Sequence, residues 1–322
     1  MRTRKGPVWQ PPAEIAALFP DISGNAINGL SERAPRPPRY VMWTRPDRIA
    51  HGRVQQHVND TYEAHPKLHG SFAGAERRAK PVPIAPARAA DTPENWTRRV
   101  KEFALAHEAD LVGIARVDPL WVFEGAEVQL PVVIVLGVAM DHAELAKAPA
   151  AESPAEVARQ YNRGTRAAKA LANFIRAQGY DAEGHGGPGA GPLQLVPAAL
   201  AAGFGELGKH GSIINRQFGS SFRLAGVLTE LPLVLDAPDD IGAEDFCASC
   251  QVCTNACPPA AIADVKSWVR GAEKWYVDFD KCMPYFASTW GCGICIAVCP
   301  WSKPGTAPRL AERMLKRRVA KA

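Results

Sequence analysis

Eight cysteines, all between Cys247 and Cys299, constrain this chain more than any other feature. Everything before Cys247 is free of cysteine. Disulfides that staple a secreted protein are spread over its fold, whereas thiols crowded into one module point to a metal site. The first group, CASCQVCTNACPP from Cys247 to Pro259, has the spacing C-x2-C-x2-C-x3-C-P through Cys247, Cys250, Cys253, Cys257 and Pro258. Cys282 follows, and GCGICIAVCP then repeats the C-x2-C-x3-C-P ending through Cys292, Cys295, Cys299 and Pro300.

This is the cysteine run of bacterial ferredoxins. The x2 steps aim three sulfurs at one iron cube, and the x3 step with its proline sends the fourth toward a second cube. The ligand sets therefore cross over. Cys247, Cys250, Cys253 and Cys299 fall to one [4Fe-4S] cluster; Cys257, Cys282, Cys292 and Cys295 fall to the other. Structural zinc also takes CxxC pairs, but zinc ribbons separate two pairs by a longer loop and have no use for three cysteines in C-x2-C-x2-C. No thiol is left over for nucleophilic catalysis. Two cubes in one fold pass single electrons, so the module works as a wire, and a wire needs something at its end.

Upstream, residues 1–91 form a proline-rich stretch, as in APRPPRY, with little sustained periodicity. It reads as a disordered tail or, given Trp9, Tyr40, Trp43 and Phe72, as an arm packed over the body. An ordered α/β domain is expected over residues 92–240. Thr92 can cap a helix with Pro93 in first position, and Trp96, Val100 and Phe103 line one face. DLVGIARV and the fully apolar LPVVIVLGVAM read as strands. Ser153-Pro154-Ala155-Glu156 reads as a capping box opening a long helix with Val157, Tyr161, Ala168, Leu171 and Ile175 on its inner face and Gly179 at its end. FRLAGVLTELPLV is a third strand before the cysteine module, residues 241–304. Residues 305–322 form a basic tail, RLAERMLKRRVAKA within it, which reads as a solvated helix.

A hydrophobic fraction of 47% and a charged fraction of 22% describe a globular chain. The longest apolar run, Leu130 to Met140, is too short to cross a bilayer. The basic start MRTRKGPVWQPP lacks a following apolar stretch and paired arginines, so no export signal or membrane is expected and a cytoplasmic protein is. A net charge of +5 does not call for nucleic acid.

Two glycine-rich loops interrupt the domain. GHGGPGAGP, Gly184 to Pro192, has too little side chain for regular structure and would let backbone approach a large ligand. GFGELG, Gly203 to Gly208, matches G-x-G-x-x-G by letters, but a dinucleotide site needs a strand before it and a helix after, and PAALAA and KHGSIINRQFG offer neither.

The phrases ADLVGIARVDPLWVF, VVIVLGVAMDHAEL, YNRGTRAAKALANFIRAQGY, AALAAGFGELGKHG and FRLAGVLTELPL, with the double cysteine run ending GCGICIAVCPWS, resemble the corrinoid-dependent reductive dehalogenases, in that order, over Thr92 to Pro304. Epoxyqueuosine reductases, which act on tRNA, share the same core. The resemblance implies an α/β (α+β) fold: a nitroreductase-like corrinoid-binding domain plus a bacterial two-[4Fe-4S] ferredoxin-like module. It also implies a base-off cobalamin, a small halogenated organic substrate, and reduced ferredoxin, flavodoxin or a flavoprotein reductase as electron donor. By the same resemblance Met140, Gly203, Gly205, Gly208, Lys209 and His210 contact the corrinoid. No D-x-H-x-x-G run offers cobalt a histidine, and His142, His185 and His210 read as ordinary histidines in that respect.

Relatives place a tyrosine and an arginine over the cobalt, the tyrosine giving a proton to the carbon that loses halide. These align with Tyr161 and Arg223. A guanidinium beside a phenol holds the ring and improves it as a donor. Ala190 aligns where respiratory dehalogenases carry asparagine and the queuosine enzymes a catalytic aspartate. The implied activity replaces a carbon-bound halogen by hydrogen. Its alternatives are an epoxyqueuosine-reductase-like enzyme on tRNA and an iron-sulfur electron-transfer protein without the second cofactor.

Overall fold

The proline-rich arm lies folded against the rest of the chain in the computed structural model, which describes residues 6–71, 80–189 and 191–320. It carries two short helices, α1 (Ala13–Ala16) and α2 (Gly24–Asn28), and a longer one, α3 (Gly52–Ala64). In α3, Val54, Val58 and Tyr62 recur at i, i+4 and i+8, and all three are buried. They share a core with Met42, Leu68, Met283 and Ala287. Trp9 meets the Tyr285 ring edge-on at 5.0 Å, and its backbone N–H donates to the Pro258 carbonyl. Tyr40 stacks on Phe123 at 3.9 Å. The described part of the arm is thus packed, not a loose tail; Phe72 lies outside the described residues.

The central layer follows from sequence pattern. Thr92 Oγ1 accepts from the Asn95 N–H at 3.2 Å and starts α4 (Pro93–Ala106), whose Trp96, Val100 and Ala104 are buried. Next come β1 (Leu111–Arg116), β2 (Val132–Ala139), α5 (His142–Leu145), α6 (Glu152–Arg176), β3 (Ala182–His185), α7 (Leu195–Ala201), the short pair β4 (Glu206–Leu207) and β5 (Ile213–Ile214), and β6 (Phe222–Thr229). Four strands form one sheet in the order β1-β2-β6-β3, each pair antiparallel. β2 and β3 run the same way with β6 inserted between them, so α6 is the crossover of a split β-α-β unit. In β2, Ile134 and Leu136 face α4 and α6, while Val133 and Val135 face α7. Burial on both faces explains the unbroken apolar run. Deleting one fully buried side chain on the α6 seam, such as Leu171, costs about 2–5 kcal/mol.

Two local readings need correction. α6 begins at Glu152, its N-cap Ala151 supplies no side-chain bond, and Ser153 and Pro154 already lie in the first turn. Glu156 is drawn elsewhere: its Oε1 accepts from the Asp141 N–H and from Gln160 Nε2, both at 2.8 Å, and its other oxygen pairs with Arg159. The preceding turn, closed by the Ser153 N–H on the Ala150 carbonyl, carries the helix back past the intended cap. The glycine-rich stretch from Gly184 is also partly regular, because Gly184 and His185 belong to β3 and pair with Val227 and Gly226. Only glycine fits at 184, where a Cβ would stand 2.6 Å from the Ala168 carbonyl oxygen.

The cysteine module comprises α8 (Ala243–Ser249), α9 (Val252–Ala256), the hairpin β7 (Ser267–Val269) and β8 (Ala272–Lys274), α10 (Phe279–Ser288) and α11 (Ile294–Ala297). α12 (Ala307–Val319) then packs Ala307, Ala311 and Met314 against it. Among the described residues no helix is long and apolar enough to cross a membrane.

Candidate functional site

Short helices and turns set the sulfurs. Cys247 lies in α8 and Cys250 ends it; Cys253 lies in α9 and Cys257 ends that. Cys282 sits in α10 and Cys295 in α11. Between those, Gly291 and Gly293 flank Cys292 with φ of +112° and +79°, conformations that glycine adopts without strain. Cys247, Cys250, Cys253 and Cys299 line one small void, whereas Cys257, Cys282, Cys292 and Cys295 open on a large cavity.

No disulfide joins any of the eight. Burial pushes the Cys247, Cys253 and Cys282 thiols up to about 12 and Cys292 and Cys299 up to about 11, and Cys295 is raised well above its ordinary value. Each of these six thiols also has at least one neighbouring sulfur whose negative charge opposes its ionisation. A set so crowded becomes thiolate only around a strongly positive centre, which is what iron supplies. Lys209, 1% exposed, adds a buried cation beside the first group: its Nζ donates to the Cys250 carbonyl at 2.9 Å and lies 4.9 Å over the Trp275 ring.

The large cavity measures about 590 Å³ and runs between the arm, α6 and the cysteine module. Pro154, Val157 and Tyr161 of α6 form one wall, Val58 and Tyr62 of α3 another, and the four cysteines with Ile262, Tyr285 and Phe286 a third. A neighbouring cavity of about 340 Å³ extends over Gly187, Gly189, Gly191, Ser212, Ile213 and Phe222. Trp43, Tyr161, Pro188 and Arg223 line both. Val157 and Tyr161, expected on the inner face of α6, are half-buried and face this space.

Arg223 enters from the start of β6, opposite Val138, with its guanidinium carbon 5.6 Å from the centre of the Tyr161 ring. Its Nε is buried and has no hydrogen-bond partner among the described residues. Tyr62, which sequence pattern did not single out, belongs to the same group. Burial raises its hydroxyl above the ordinary tyrosine range, Tyr161 adds to this and Arg223 opposes it. The signal for it was the Val54, Val58, Tyr62 stripe, hidden by the prolines around it.

The other expected contacts lie elsewhere. Met140, Gly203, Gly205, Gly208, Lys209 and His210 line neither of these two cavities. Gly205 has φ +109° and a Cβ there would stand 2.1 Å from the Ile214 carbonyl oxygen, and Lys209 and His210 line the void of the first cysteine group. Burial lowers His210 to about 4, and the neutral ring accepts from the Ser212 N–H at Nδ1 and reaches Ser220 Oγ through Nε2, both at 3.2 Å. His142 reaches the Ala297 carbonyl at 3.1 Å, and His185 lies 3.4 Å from Glu183. Ala190 lies outside the described residues.

An iron-sulfur module set against an α/β layer, with a largely apolar cavity between them, defines the class. A family model described as a 4Fe-4S dicluster domain matches residues 246–303. The chain is a relative of the reductive dehalogenases. It is 32% identical over 259 residues to the tetrachloroethene reductive dehalogenase of Sulfurospirillum multivorans, covering 66% of this chain and 51% of that protein. The fold is similar to that of a catabolic reductive dehalogenase solved with 3-bromo-4-hydroxybenzoic acid, with a TM-score of 0.75, 23% identity, and coverage of 94% of this chain and 47% of that one. The epoxyqueuosine reductase of Cyclobacterium marinum aligns at 32% identity over a shorter 129 residues, 35% of this chain and 38% of that protein. The matches thus span about half the length of these two dehalogenases.

Proposed function

We propose that this protein is a cobalamin-dependent reductive dehalogenase fed by two [4Fe-4S] clusters, replacing a carbon-bound halogen by hydrogen. One observation carries the reading: Tyr161, Arg223 and the Cys257, Cys282, Cys292, Cys295 group all face one cavity. The net change takes two electrons and one proton into the substrate and releases halide. The crossed cysteine sets are the two cluster sites, and the domain limits 1–91, 92–240, 241–304 and 305–322 mark arm, nitroreductase-like corrinoid domain, cluster module and tail. Reduced ferredoxin, flavodoxin or a flavoprotein reductase is the donor class, and a reducing cytoplasm suits eight cysteines joined by no disulfide.

A corrinoid suits the residues present. The cavities are walled by apolar side chains and glycine backbone, and the partnerless Arg223 Nε offers a buried donor. Gly187, Gly189, Ser212, Ile213 and Phe222 would hold it, in place of the contacts expected from Met140 and the Gly203–His210 stretch. Bound there, it supplies low-potential cobalt chemistry toward a carbon–halogen bond. Tyr161 gives its hydroxyl proton to the carbon that loses halide, and Arg223 holds the phenol in place. Trp43 and Phe286 close the arm side against water.

Anaerobic reconstitution tests this. The loaded protein should carry about eight irons and one cobalamin and release halide from a halogenated phenol under reduced viologen. Cys295→Ser should leave about four irons. Iron uptake with no spectral change on adding cobalamin would leave an electron-transfer protein, and turnover of an epoxide on tRNA without halide release would move the site to the queuosine chemistry.

A further inference from the structure

The outer face of α12 carries a stripe of positive charge. Arg309, Arg313 and Arg317 recur at i, i+4 and i+8, so they share one side of the helix, and all three are exposed. None has a carboxylate partner among the described residues. The other charges nearby are already used. Lys316 pairs with Glu312 at 2.6 Å, and Arg318 is held at 2.5 Å by Asp240 and Asp245. Glu244, the remaining acid of the first turn of α8, pairs with Lys266. Like charges four residues apart disfavour a helix, so the stripe persists at a cost to local stability.

What lies beneath gives the stripe a meaning. The buried face of α12 shares its core with Cys247, Cys299 and Trp301. The arginines therefore stand about one helix diameter, roughly 10 Å, above the cysteine group that does not open on the large cavity. That is where electrons must enter if they leave at the cavity.

We propose that this face docks the electron donor, an acidic protein carrying a one-electron centre, seated on Arg309, Arg313 and Arg317 over Cys247 and Cys299. The proposal rests on the iron-sulfur reading above and names the entry point that reading lacks. In the step itself the donor loses one electron and the outer cluster gains it; no bond forms and no proton moves. Nucleic acid fits less well. The face offers no aromatic ring for stacking, and Glu312 sits within it.

The test uses the full chain loaded with iron and sulfide, without cobalamin or substrate, and follows bleaching of cluster absorbance by reduced flavodoxin in a stopped-flow instrument. The triple change Arg309→Glu, Arg313→Glu, Arg317→Glu should slow the second-order reduction by about tenfold or more at low ionic strength, while bleaching by dithionite stays as in the wild type. The corresponding glutamine triple should fall between, and added salt should erase the wild-type advantage. Equal flavodoxin rates in wild type and triple variant would overturn the proposal. So would a salt-independent wild-type rate, or a patch whose loss abolishes tRNA binding and leaves the flavodoxin rate unchanged. Because bleaching is read without turnover, a failure to release halide would refute the dehalogenase reading and leave the docking face standing.

Discussion

Arg223 places its guanidinium carbon 5.6 Å from the centre of the Tyr161 ring, and the two residues arrive from different layers, one from β6 and one from α6. The contact puts a cation over an aromatic face at the junction of both cavities. A helix and a strand hold it, so neither side chain depends on a mobile loop for its position.

Removing the Tyr161 hydroxyl keeps this packing and deletes the proposed proton donor. Tyr161→Phe should lower halide release by roughly 10²–10⁴-fold, with iron and cobalamin content unchanged. Arg223→Lys should retain more activity than Arg223→Met, since it keeps a cation but loses the planar fork.

The arm wall depends on a buried amide. Trp43 adopts φ +65°, unusual for a bulky residue, and Gln55 holds it there: its Oε1 accepts from the Trp43 N–H and its Nε2 donates to the Thr44 carbonyl at 2.5 Å. Gln55→Leu strands both backbone groups at a cost of about 2 kcal/mol and frees Trp43. Steady-state assays should show KM for the halogenated substrate rising several-fold, more than kcat changes, with iron content intact. A kcat loss at constant KM would sink this role for Gln55.

The cysteine runs, β1, β2, β6 and the long helix were legible because their signals are local: fixed spacings, an unbroken apolar run, a 3.6-residue stripe. What escaped depends on distant contacts. Tyr62 reaches the site only because the arm folds back over α10, and proline-rich flanks hid the helix that carries it. Ser153 and Glu156 have the letters of a capping box, yet Glu156 finds better partners in Asp141 and Gln160. Lys209 and His210 follow a glycine motif that looks ligand-binding, and tertiary packing puts them beneath the first cysteine group instead.

Lys274 gives a pH test. Burial, aided by repulsion from Arg270, lowers it from 10.5 to about 8. The folded chain therefore sheds this proton near 8, whereas the unfolded chain keeps it to 10.5. Across that window the unfolded state binds more protons, so this group's contribution to stability rises with pH; below it both states are charged and the folded state bears the full desolvation. Lys274→Met should raise stability by about 1 kcal/mol at neutral pH, allowing for the side chain's remaining solvent contact. The gain should shrink toward about pH 10. Denaturation midpoints of both proteins at the two pH values check it, and a gain independent of pH would point to packing instead.

Lys209 tests the link between buried charge and electron flow. Its ammonium is shut away from water beside Cys250, with Asp264 at 3.8 Å, where it would offset the negative charge of the cluster proposed for Cys247, Cys250, Cys253 and Cys299. Reduction adds one more negative charge to that cluster, so a fixed cation favours the reduced form. Lys209→Met keeps most of the volume and removes the charge. The outer cluster's potential should become more negative by on the order of 50 mV, while the cluster facing the cavity shifts less because the lysine does not line that space. Redox titration followed by electron paramagnetic resonance separates the two. An unchanged potential with full iron content would reduce Lys209 to a packing residue, and loss of half the iron would make it a support for the Cys250 loop.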